Sequence, residues 1–136
     1  MTDPDLVAKK LALIETCVRE LRALARPADI PVDKVQQRFA EHTLQIAVQT
    51  VLDVASHIVS DERLGEPRTN RELVDLLERH GWLPADLAAV MRRMVGFRNI
   101  LVHGYETVDV AIVRDVVEHR LDDLLRFVAL IRARLS

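Results

Sequence analysis

One broad apolar stripe runs through the middle of the chain. Phe39, Leu44, Ala47, Val48, Val51, Val54, Ala55 and Ile58 recur at helical spacing between about Val32 and Val59. Arg38, Glu41, His42, Gln45, Gln49 and Asp53 lie largely off that stripe. Such a helix spans roughly 40 Å at a rise of about 1.5 Å per residue. In a chain of 136 residues it predicts the central strut of a single domain covering residues 1–136, large enough to bury a real core. Composition agrees. Aromatics are only 4% of the residues, and Ala, Val and Leu dominate the apolar half, which favours an all-α domain over a β-rich or disordered chain.

Local punctuation places four more helices. Asp3 is a candidate N-cap with Pro4 at the first helical position, and Val7, Leu11, Ile14, Val18 and Leu21 follow at helical spacing until Pro27 and Pro31 bracket a turn. Thr69 and Glu72 form a T-x-x-E capping box ahead of a short third helix. That helix should stop at His80-Gly81, with Trp82 making the hydrophobic contact beyond it. A fourth helix runs from Pro84 towards Gly104. Asp109 caps a fifth, whose seam is Val110, Val113, Val117, Leu121, Leu124, Val128, Ile131 and Leu135. The connections are short, so the expected architecture is an up-and-down bundle of about five helices with antiparallel neighbours.

Composition also narrows function. The formal net charge of −2 gives no global attraction to nucleic acid, so such a contact needs a local basic patch. Cys17 is the single cysteine and excludes an intramolecular disulfide. With no signal-like N-terminus and no apolar run near the roughly 18 residues of a membrane span, a cytoplasmic home is expected.

The segment Phe97–Tyr105, FRNILVHGY, crowds Arg98, Asn99, His103 and Tyr105 around an apolar core stretch. In a regular helix His103 lies about 140° round from Arg98. Gly104 follows, however, and helices often unwind at such a glycine, so the His103 ring can swing. The negative end of the helix dipole favours its imidazolium, and a histidine there can give or take a proton near neutral pH. Arg98 offers a flat fork of donors suited to phosphate, and Tyr105 should carry its phenol outside the helix. An Arg and a His without a carboxylate cluster suggest metal-free phosphoryl chemistry. One imidazole cannot easily serve both sides of one phosphorus, so a two-fold dimer supplying a second copy is expected. The plainer reading stands beside this one: a solvated arginine, a C-terminal histidine cap and a packed tyrosine ring.

The stretch MVGFRNILVHGYETVD resembles the R-x4-6-H signature of the HEPN superfamily, and more narrowly the R-x4-H-x-Y pattern of HepT-type toxins. Arg98, His103 and Tyr105 fill the three positions, and Asn99 matches the polar residue usual after the arginine. The resemblance extends over about Val32 to Leu124. It implies a homodimeric helical bundle acting as a metal-independent endoribonuclease toxin of a bacterial or archaeal toxin–antitoxin pair. Arg98 and His103 would be catalytic, RNA such as tRNA or mRNA the substrate, and no cofactor or metal required. It also implies a minimal nucleotidyltransferase antitoxin that transfers AMP onto Tyr105. The rival expectation is a non-catalytic adaptor that docks a nucleotidyltransferase and aids its substrate recognition.

Other residues draw weaker readings. Asp53 and His57 are i,i+4 on the second helix and could form a supporting acid–base pair, or a polar pair packed against helix four. Arg68, Arg71, Arg92 and Arg93 could form a basic rim for RNA or a solvated charged face. His42, His80 and His119 show no metal spacing. Cys17 reads as a packed side chain and Trp82 as a helix-end anchor.

Overall fold

The computed structural model describes residues 3–103 and 109–136. These form α1 (Pro4–Leu24), a 3-10 turn (Pro27–Asp29), α2 (Lys34–Asp61), α3 (Asn70–Arg79), α4 (Ala85–His103), α5 (Val110–His119) and α6 (Leu121–Leu135). The result is an all-helical bundle built around α2, which packs against α1, α3, α4 and α5. Most of its stripe is core: Leu44, Ala47, Val48, Val51, Val54, Ala55 and Ile58 are buried, whereas at the N-terminal end Ala40 is buried and Phe39 only partly so. The helix opens two residues later than the stripe suggests because Asp33 is the cap, accepting from the Val35 N–H at 2.8 Å.

Asp3 caps α1 as expected, accepting from the Asp5 N–H at 3.0 Å, with Pro4 at the first position. The helix buries Val7, Leu11, Ile14, Val18 and Leu21. Full burial of such side chains contributes about 1.5–3 kcal/mol each, so this face offsets much of the entropy lost in ordering the helix. Gln36, buried on α2, accepts from the Arg26 N–H at 2.7 Å and donates to the Leu24 carbonyl at 3.3 Å. Its side chain thus satisfies the backbone where α1 turns into α2.

The short-range signals of α3 hold. The Thr69 hydroxyl accepts from the Glu72 N–H at 3.2 Å. Gly81 takes φ +78°, a left-handed value a side chain would strain. The Trp82 N–H then donates to the Leu77 carbonyl at 2.8 Å and the Gly81 N–H to the Glu78 carbonyl at 3.1 Å, which together close a Schellman motif. Trp82 is buried, and the Arg134 guanidinium stacks on its ring with 4.3 Å to the centroid. Trp82 is therefore a helix-end anchor.

The expected fifth helix is divided at Arg120, whose φ and ψ are −117° and 0°. The two halves cover different partners. Val113 and Val117 bury on the side where α5 meets α2 and the 3-10 turn, whereas α6, with Leu121, Leu124, Phe127, Val128 and Ile131, lies along α1. One straight rod cannot cover both. α6 is clamped to its neighbours by two-pronged ion pairs, Arg126 on Asp86 of α4 and Arg132 on Glu15 of α1. Among the described residues, no helix is long and apolar enough to cross a membrane.

Candidate functional site

The buried side of α4 sets where its motif arginine points. Met94, Val95, Phe97 and Leu101 are buried in the core. That leaves Arg98 half-buried against α2, with Asn99 and Ile100 exposed. The Arg98 Nη2 donates to the Gln49 Oε1 of α2 at 2.5 Å, and its Nη1 donates more weakly to the Asn99 Oδ1 at 3.3 Å. Its Nε is buried with no hydrogen-bond partner among the described residues. No carboxylate of the described residues pairs with it. Among the described residues the guanidinium is held by neutral oxygens alone.

A second layer lies behind Gln49. Its Nε2 donates to the Asp53 Oδ1 at 3.0 Å, one helical turn further along α2. The Asp53 Oδ2 lies 3.5 Å from the Lys10 Nζ of α1. Arg98, Gln49, Asp53 and Lys10 therefore form one line of contacts across three helices. Asp53 reaches Arg98 only through the amide.

The spacing-based pairing of Asp53 with His57 gives way to this arrangement. Among the described residues no hydrogen bond or ion pair joins the two, because Asp53 is engaged by the amide at i−4 and by Lys10. His57 is half-buried and lines a shallow cleft with Lys10, Asp53, Ser56 and Ser60. That cleft involves α1, not α4. Gln49 is the contact of Arg98 that sequence reasoning passed over. Its signal was an i,i+4 Gln–Asp spacing on α2, as readable as the Asp–His spacing one turn on.

His103 is the last residue of α4, but its side chain lies outside the described residues. Gly104 and Tyr105 lie outside them altogether. The suggested basic rim loses a member, since Arg92 donates to Asp75 at 2.7 Å and also to Glu78. Arg93 stays exposed beside a cleft of about 190 Å³ between α4 and α5, lined also by Phe97, Ile112, Asp115 and Arg120. Cys17 is buried, and burial pushes its thiol pKa up, which disfavours the thiolate a nucleophile needs. No group of three or more His, Cys, Asp or Glu side chains among the described residues is placed to hold a metal ion.

A helical bundle on one long central helix, with an Arg–Asn pair near the end of the fourth, defines a domain of the HEPN type. Residues 14–131 match the family described as Ribonuclease HepT-like. The chain is 30% identical over 130 residues to the mRNA nuclease HepT of Shewanella oneidensis, covering 95% of this chain and 98% of that one. It is 31% identical over 112 residues to the tRNA nuclease HepT of Aphanizomenon flos-aquae, covering 79% and 74%. The solved structure of the tri-AMPylated Shewanella oneidensis HEPN toxin in complex with MNT antitoxin superposes with a TM-score of 0.88, at 30% identity over 98% of this chain and 99% of that chain. The chain belongs to the HepT-like ribonuclease family, and it is an endoribonuclease of the toxin–antitoxin kind.

Proposed function

We propose that this ribonuclease cleaves RNA without a metal, with Arg98 and His103 as its catalytic residues. The ribose 2′-oxygen attacks the adjacent phosphorus and the bond to the 5′-oxygen breaks. One imidazole removes the 2′-OH proton, and an imidazolium returns a proton to the leaving oxygen. Charge gathers on the non-bridging oxygens as this happens, and Arg98 offsets it. A homodimer supplies two copies of His103 for the two proton transfers. The products are a 2′,3′-cyclic phosphate and a 5′-hydroxyl end.

The observation that carries this reading is the state of Arg98. Here the Nε is buried and has no hydrogen-bond partner among the described residues, which leaves a donor for a phosphate oxygen to meet. No described carboxylate cancels its charge, and it stands five residues before a histidine on the same helix. Asn99 supports it through the Nη1 contact. Asp53 acts only at one remove, and His57 has no direct contact with Arg98 among the described residues.

The partner in this reading is a minimal nucleotidyltransferase antitoxin of the cytoplasm that transfers AMP to Tyr105. A nucleotide there brings phosphate charge towards the motif arginine and bulk beside His103, so it competes with the RNA backbone. In chelator, the purified protein should cut RNA to cyclic-phosphate ends and leave 2′-O-methyl RNA intact, and His103→Ala should be inactive. Full cleavage by His103→Ala removes the histidine from the mechanism. Co-expression with the antitoxin should add AMP increments to the intact mass that disappear in Tyr105→Phe. Increments that persist in Tyr105→Phe place the acceptor elsewhere.

A further inference from the structure

We propose that Gln49 is a positioning residue for Arg98, and that its being an amide rather than an acid keeps the guanidinium available to phosphate. The proposal rests on the assignment of Arg98 to the reaction. The orientation of the Gln49 amide follows from its neighbours. Asp53 offers a carboxylate oxygen 3.0 Å from it, and a carboxylate accepts but does not donate. The Gln49 NH2 must therefore face Asp53, which turns the carbonyl towards the Arg98 Nη2 at 2.5 Å. Lys10 engages the other oxygen of Asp53 at 3.5 Å, so the anchor of the amide is itself tied to α1.

The backbone under Gln49 adds rigidity. Val48, Thr50, Val51 and Leu52 are buried, and the Thr50 hydroxyl donates to the Ile46 carbonyl at 2.7 Å. The arginine is thus fixed from a packed helix and not from a loop. A glutamate at the same place would reach Arg98 just as well, but it would set a negative charge directly on the guanidinium and screen it from RNA. The amide passes the orienting effect of Asp53 to Arg98 without delivering its charge. Asp53 and Lys10 are the outer members of this relay, and His57 has no part in it.

The test uses the full-length protein, an oligoribonucleotide substrate, and two variants, Gln49→Leu and Gln49→Glu. Gln49→Leu keeps the volume and removes the acceptor, so kcat should fall about 10- to 100-fold with little change in KM. Gln49→Glu pairs with Arg98, so KM should rise and the salt dependence of binding should weaken by about one phosphate contact. A direct readout is the nitrogen spectrum of the Arg98 side chain, assigned by its loss in Arg98→Lys. Wild type should show hindered rotation at the Nη2 group, and Gln49→Leu should lose it. Thermal melting checks that both variants fold; should Gln49→Leu not fold, the KM and salt response of Gln49→Glu decides. Identical Arg98 spectra in wild type and Gln49→Leu, or a wild-type kcat in that variant, overturns the proposal. If wild type cuts no RNA at all, the nuclease mechanism fails, while the spectra still decide what Gln49 does.

Discussion

Two arginines stand six residues apart on α4 and live in opposite surroundings. Arg92 is clamped by two acids of α3, Glu78 and Asp75, which hold its pKa above the ordinary guanidinium value. Its job is complete in the folded protomer: it pins α4 to α3. Arg98 leans on two amides, keeps its charge uncancelled by any described carboxylate, and buries one donor that no described residue meets. One arginine is paired by acids and the other by amides, and under the proposed mechanism that difference separates a group that holds the fold from one kept for phosphate.

The comparison can be broken at several points. The largest effect should come from Arg98→Lys, which keeps the charge but loses the planar fork. Cleavage should fall on the order of 100-fold with an unchanged helical spectrum; near-normal turnover would show that charge alone suffices. Arg92→Ala should instead lower stability by about 1 kcal/mol, a figure discounted because its acids are 30–40% exposed. Its cleavage rate, measured well below the melting temperature, should match wild type. A drop in rate without a drop in stability would put Arg92 into the RNA path after all.

The smallest effect concerns a clamp of the Arg92 kind elsewhere, Arg132 on Glu15. The hydrogen bond from Arg132 holds the Glu15 pKa below its ordinary 4.5. A carboxyl whose folded pKa is depressed stabilises the fold above its unfolded pKa, and that stability disappears as pH falls through the folded value. The melting temperature of wild type should therefore exceed that of Glu15→Gln near neutral pH, by less than about 1 kcal/mol in stability for so exposed a pair. The gap should close in acid below that pKa. A gap that widens in acid would contradict the sign.

Local chemistry was the most readable part of this chain. Thr69, Gly81 and Trp82 announce the ends of α3 because caps depend on residues within a turn of one another. The break at Arg120 is silent because no side chain caps α6 there; the bend is imposed by two distant packing partners. The same contrast runs through the site. Arg98 is visible from its spacing to His103 and Tyr105, whereas its acceptor, Gln49, lies 49 residues earlier. Asp53 could have served His57 or Gln49 at equal spacing, and only the approach of α1 and α4 decides between them.

The account turns on what Arg98 does, and single-turnover cleavage of one RNA in excess chelator measures that most directly. With wild type, Arg92→Ala and Arg98→Ala compared at equal folded concentration, wild type and Arg92→Ala should cut at the same rate and Arg98→Ala should leave the RNA whole. Cleavage by Arg98→Ala at the wild-type rate would contradict the assignment of this guanidinium to the reaction.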